Sequence, residues 1–232
     1  MPSNFQPTRW SMIQNTGASE SGVRNRAWAE FDHLYRTPLI GFIRRCGWPT
    51  DRAEDLLQSF LSIVAERNWL SEADPERGKM RTFLLTRLKR HLNDVLKHDR
   101  AQKRGGGVEN VALDDVSAVL AGPESEAECE FDREWARAIL DYTLLKLQQQ
   151  AEAKNRGQIF RLLKGQITGN SEEKLGESAQ ALGLSQGAVR MQLQRLREDF
   201  RTTLRTEVAE TLLPGENVSD EMRYLARVLA GS

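Results

Sequence analysis

Residues 178–200 read SAQALGLSQGAVRMQLQRLREDF (Ser178–Phe200), and the spacing of their apolar side chains decides how the chain is read. Leu175, Ala179 and Leu182 recur at intervals of four and three residues, and Val189, Leu193, Leu196 and Phe200 at four, three and four. These intervals follow the turn of an α-helix, so each segment predicts a helix with one narrow apolar stripe. Gly183 stands where the first helix must end, and without a Cβ it can take the left-handed backbone of a sharp turn. Ser185 is then the expected N-cap of the second helix, and Ala179 is small where the two helices would cross. With the stripe inward, Gln186, Gly187, Arg190, Met191, Gln194 and Arg197 face outward. Long hydrogen-bond donors on a second helix suit base edges and phosphates, as in the recognition helix of a helix-turn-helix. The competing reading is an ordinary helical hairpin with a solvated basic face; the joint occurrence of Ala179, Gly183, Ser185, Val189 and Leu193 favours the former. Two residues fit less well: Gly176, which weakens a helix by ~1 kcal/mol relative to alanine, and Ser178, at a place where an apolar residue is expected.

A nucleic-acid partner sits awkwardly with a formal net charge of zero. The average hides a segregation. Between Glu76 and Arg104 lie Arg77, Lys79, Arg81, Arg87, Lys89, Arg90, Lys97, Arg100, Lys103 and Arg104, against Glu76, Asp94 and Asp99. Between Glu109 and Glu134 the balance inverts, with Glu109, Asp114, Asp115, Glu124, Glu126, Glu128, Glu130, Asp132 and Glu134 facing Arg133. The neutral total is a basic segment followed by an acidic one.

The remaining sequence predicts more helices. Residues 1–21 read as a loose arm, with scattered Pro, Gly and Ser and no sustained period. Trp28, Phe31, Tyr35, Leu39, Phe42 and Ile43 mark a first helix that Pro38 should kink or divide. Ala53, Leu56, Leu57, Phe60, Ile63 and Val64 mark a second, with Thr50 or Asp51 as its N-cap. After the turn SEADPERG, a third carries Met80, Phe83, Leu84, Leu88, Leu92, Val95 and Leu96 on one face and most of the cations on the other. Glycine and acids from Gly105 onward suit a flexible acidic linker. Trp135, Ile139, Tyr142 and Leu145, then Ile159, Leu162 and Leu163, give two helices before the opening pair. No segment alternates apolar and polar residues, so no sheet is expected. The fold class is all-α, two small helical bundles joined by that linker. Cys46 and Cys129 lack the spacing of a disulfide framework or zinc site. No run approaches the ~18 apolar residues of a membrane span, and MPSNFQPTRW does not resemble a secretory leader, so a cytoplasmic location is expected.

Three stretches together resemble the sigma-70 family of RNA polymerase initiation factors, in its small two-domain extracytoplasmic-function (ECF) branch. AEDLLQSFLSIV (Ala53–Val64) is similar to the polymerase-binding helix of sigma region 2. MRTFLLTRLKRHLNDVLKHDRAQKRGGG resembles the segment that melts and reads the minus-10 promoter element. LGESAQALGLSQGAVRMQLQRLR looks like the region 4 helix-turn-helix that docks at the minus-35 element. The resemblance runs from about residue 23 to 213. It is closest to a subgroup with a C-terminal extension, here TEVAETLLPGENVSDEMRYLARVL. Departures from the family pattern are Ser59, Arg90 and Leu175, where glutamate, asparagine and an aromatic are usual.

The resemblance implies an N-terminal arm (1–21), region 2 (22–104), an acidic linker (105–130), region 4 (131–213) and a helical extension (214–232). It implies a bacterial transcription initiation factor, not an enzyme, with core RNA polymerase and promoter DNA as partners and an anti-sigma or other regulatory protein as a further one. Glu54, Asp55 and Gln58 would contact the polymerase. Arg81, Arg87, Lys89, Arg90, Lys97, Arg100, Lys103 and Arg104 would serve the minus-10 element, and Ser185, Gln186, Arg190, Gln194, Arg195 and Arg197 the minus-35 element. Trp69 is read as either core or DNA-facing, and His91 and His98 as surface histidines. No metal or cofactor is implied. Met222, Leu225, Val228 and Leu229 give the extension an apolar stripe, expected to pack on its own region 4. The alternative to the whole reading is a stand-alone helix-turn-helix regulator that binds operator DNA without polymerase.

Overall fold

The computed structural model describes residues 16–67, 69–70, 79–103, 126–168, 174–212 and 215–231. Among them every regular element is helical, and the all-α class holds. The helices are α1 (Ser21–Arg45), α2 (Thr50–Glu66), α3 (Met80–Lys103), α4 (Glu126–Ala153), α5 (Gly157–Leu163), α6 (Lys174–Leu182), α7 (Gln186–Ala209) and α8 (Val218–Ala230), with a 3-10 turn at Lys164–Gln166. They fall into two compact units: residues 1–138 with 210–232, and residues 139–209.

The first unit is built on α1, α2 and α3. Phe31, Leu34, Leu39, Phe42 and Ile43 of α1 meet Ala53, Leu57 and Phe60 of α2, all at most 1% exposed. Full burial of such side chains contributes about 1.5 to 3 kcal/mol each. On α3 the buried line is Met80, Leu84, Leu88, Leu92 and Leu96, one residue per turn. Phe83 and Val95, expected on that stripe, flank it half-buried. Pro38 does not divide α1: the helix continues through it, and the ring is buried in the core. The start of α2 also differs from expectation, because Pro49 takes the N-cap place and no side chain caps it, with Asp51 in the first turn where a negative charge suits the helix dipole.

The extension belongs to this first unit; expected to pack on region 4 (131–213), it meets Asp132 and Arg133 at the start of that span and also Lys79 and Arg81 near the start of α3. The Asn217 side chain caps α8 by accepting from the Ser219 N–H at 2.8 Å, and Gly231 closes it with φ of 78°. Residues 126–130, expected as the end of the linker, form the first turns of α4; residues 104–125 lie outside the described residues, Arg104 among them.

The second unit is the remainder of α4 with α5, α6 and α7. Its core holds Ile139, Phe160, Leu163, Val189, Leu193 and Val208. Lys146 reaches the buried carboxylate of Glu207 at 2.5 Å, joining α4 to the far end of α7.

Candidate nucleic-acid interface

In the second unit the turn between α6 and α7 is closed by local chemistry. Gly183 has φ of 64°, in the left-handed region where glycine is favoured, and the Leu184 N–H returns to the Ala179 carbonyl at 3.0 Å. Ser185 Oγ accepts from the Ala188 N–H at 3.2 Å, so the expected N-cap is present. Ser178, out of place on an apolar stripe, is buried and its hydroxyl accepts a hydrogen bond from Gln166 Nε2 at 3.1 Å. That bond satisfies a polar group that would otherwise be costly to bury.

Val189, Leu193 and Leu196 are buried on α7, which leaves Gln186, Arg190, Met191, Gln194 and Arg195 exposed on one continuous face. Arg197 is not part of it. The Arg197 side chain is half-buried and donates to the Gln166 carbonyl at 3.0 Å, bracing the 3-10 turn. Its place one turn beyond Gln194 suggested an outward residue; the carbonyl that captures it comes from a segment 31 residues earlier.

In the first unit, Glu54, Asp55 and Gln58 are exposed on α2. Glu54 pairs with Arg36 of α1 at 3.1 Å. Ser59, on the same exposed side, lies 3.0 Å from His91 Nε2. Burial lowers the basicity of His91, more than Asp94 nearby restores it. His91 is therefore half-buried where a surface histidine was expected.

The cations of α3 divide into groups. Arg90 and Lys97 are exposed, and Arg100 is half-buried; Lys103 lies in the last turn of the helix. Lys97 keeps only a loose contact with Asp94 at 3.8 Å, both side chains more than three-quarters in solvent. Arg87 lies over two rings, 4.7 Å from the centroid of Trp69 and 5.2 Å from that of Phe83. Trp69, expected as core or DNA-facing, and Phe83, expected on the apolar stripe, are both half-buried and meet Arg87 as a stacking platform.

Arg81 and Lys89 form the last group, and each is held by acids. Lys89 pairs with Glu128 of α4. Arg81 is only 8% exposed, pairs with Asp132 at 3.2 Å and with Glu221, and lies over the rings of Trp135 and Tyr224 at 4.8 and 5.4 Å. Lys79 completes the set, 2.7 Å from Glu221. Burial would raise the Glu221 carboxyl, but Arg81 and Lys79 outweigh it and hold the group below the ordinary carboxylate range. Burial raises the Tyr224 hydroxyl, and its bond to Asp132 adds to that. Arg81, expected on the DNA-facing side, is therefore the centre of a buried ionic cluster.

A capped helix-turn-helix in one helical unit, with a basic helix in another, defines a helical DNA-binding protein of two units. A family model described as ECF sigma factor matches residues 52–206, well over half of the chain. The chain belongs to the ECF sigma factor family. Comparison with curated proteins and with solved structures gave no significant match. Family membership makes the chain a non-catalytic regulatory protein that directs RNA polymerase to promoters, with core polymerase and promoter DNA as its partners. No helix among the described residues is long and apolar enough to cross a membrane.

Proposed function

We propose that the chain divides promoter recognition between its two units, the first engaging core polymerase and the minus-10 element and the second the minus-35 element. The observation that carries this reading is the exposed face of α7, where Gln186, Arg190, Gln194 and Arg195 project beside a turn capped by Ser185. Arginine can bond bidentately to guanine and glutamine to adenine, and neither side chain needs to leave a packed position to do so. Ser185 acts here as the cap that aims the helix. Arg197, held by Gln166, positions the turn from behind.

In the first unit, the exposed Glu54, Asp55 and Gln58 are the polymerase contacts. Arg90, Lys97, Arg100 and Lys103 follow DNA phosphates, with Arg104 in the segment that continues beyond α3. The Trp69–Arg87–Phe83 platform offers flat faces on which an unstacked base can rest; base–aromatic stacking is worth about 1 to 3 kcal/mol per base. Arg81 and Lys89 reach DNA only when released from their acids.

The test is to add the purified chain to core polymerase on a randomised promoter library and sequence the transcripts. Start sites preceded by two conserved elements are expected, and Asp55→Ala with Gln58→Ala should abolish them while the protein stays folded. Transcription independent of the chain, together with no core binding, would defeat the proposal. Sequence-specific binding to fully paired duplex without polymerase would favour an operator-binding regulator instead.

A further inference from the structure

The cluster around Arg81 gathers three parts of the chain that are far apart in sequence. Glu221 lies 140 residues from Arg81, and Asp132 comes from the first turns of α4. On α8, the buried residues are Glu221 and Leu225, so one carboxylate and one apolar side chain make its central contact. Met222, Val228 and Leu229 are half-buried. α8 is thus held partly through buried charge, and desolvating such a pair offsets much of its attraction. Beside it, a cleft of about 470 Å³ runs along α3 and α4, lined by Lys79, Arg81, Lys89, Glu128, Asp132 and Glu216. Cations on one wall thus face carboxylates on the other.

We propose that these carboxylates stand in for DNA phosphates: Asp132 and Glu221 occupy Lys79 and Arg81, withholding the N-terminal end of α3 from DNA until α8 is displaced. The inference rests on the reading of α3 as the minus-10 face. Carboxylate and phosphate oxygens make the same bidentate pair with a guanidinium, so exchanging one for the other keeps Arg81 paired. The Trp135 ring, on α4, can stay over the guanidinium for either partner, whereas the Tyr224 ring leaves with α8. DNA gains by the exchange because each phosphate neutralised releases condensed counterions, a gain that grows as salt falls. The acidic first turns of α4 and the extension therefore raise the threshold for non-specific DNA binding.

The experiment compares the full-length chain with its Asp132→Asn, Glu221→Gln double variant on a labelled duplex carrying a premelted bubble, over a salt series. The neutral amides keep size and shape but no longer mimic a phosphate. Two phosphate contacts at roughly threefold each should tighten binding about tenfold, and the slope of log affinity against log salt should steepen by about 0.7 to 0.9 per added contact. Arg81→Ala in the same background should reverse part of both changes. A double variant that binds no tighter, with an unchanged slope, overturns the inference and leaves α8 as a fixed strut. Arg90→Ala with Lys97→Ala separates the two failures: weaker binding keeps α3 as the DNA face, whereas no effect removes that reading itself. Should the double variant fail to fold, amide hydrogen exchange on the wild-type chain decides: α8 should lose protection when bubble DNA is added, and unchanged protection in the DNA-bound chain contradicts the proposal.

Discussion

Arg81 and Arg190 are the same residue type, each on a helix that sequence pattern assigned to DNA, and the structure treats them oppositely. Arg190 lies in solvent on α7, beside a turn fixed by Gly183 and Ser185 within seven residues of it. Arg81 is buried between two aromatic rings and paired with acids from α4 and α8. Local sequence determines the first environment and distant sequence the second. A row of cations on a helix reports what the helix can bind, whereas its present occupant is set elsewhere in the chain.

The sharpest way to break the buried side of that contrast is Trp135→Ala. Trp135 is fully buried beneath Arg81, and removing a large aromatic from a core costs about 3 to 5 kcal/mol. Urea unfolding should show that loss, while Met191→Ala, more than half exposed on α7, should leave the midpoint in place. Glu221→Gln comes next. Removing one partner of a buried pair costs about 3 kcal/mol or more, and the loss should appear as faster hydrogen exchange in α8. Its pH dependence has a definite sign. The folded carboxyl lies below its ordinary value of 4.5, so its contribution is complete above that value and disappears as pH falls through the folded pKa. Wild type and variant should therefore converge in acid.

On the open side, Arg190→Ala should weaken promoter binding by the holoenzyme by about 1 to 3 kcal/mol, the worth of one bidentate base contact, with no change in thermal stability. Footprints indifferent to that change would mean the outward face of α7 has another use. The smallest expected effect is Ser185→Ala, which removes the cap bond to Ala188 and should lower stability by about 1 kcal/mol, read from the thermal midpoint.

The helix-turn-helix was legible because its signals are short-range: a positive-φ glycine, a capping serine and a stripe of period 3.6. The helical class was legible for the same reason, and the expected stripes of α1, α2 and α7 are buried except for Trp28 and Ile63, which are half-buried. Pro38 does not divide α1 because packing against the core outweighs one missing backbone hydrogen bond. Arg197 faces inward because the Gln166 carbonyl, in a neighbouring turn, needed a donor. The extension announced its helix through Met222, Leu225, Val228 and Leu229 but not its address, since an apolar stripe does not specify what covers it. Its seat became visible once Glu221 was found between Lys79 and Arg81. A buried carboxylate at that point of the sequence is indistinguishable from a solvated one.

The most direct test of the central claim is promoter binding by the intact chain with and without core polymerase, on DNA selected by the transcript library. The two-unit sigma account predicts footprints at two separated elements when core is present, and no sequence-specific footprint from the chain alone. A specific footprint on duplex DNA without polymerase, unchanged when core is added, would contradict it.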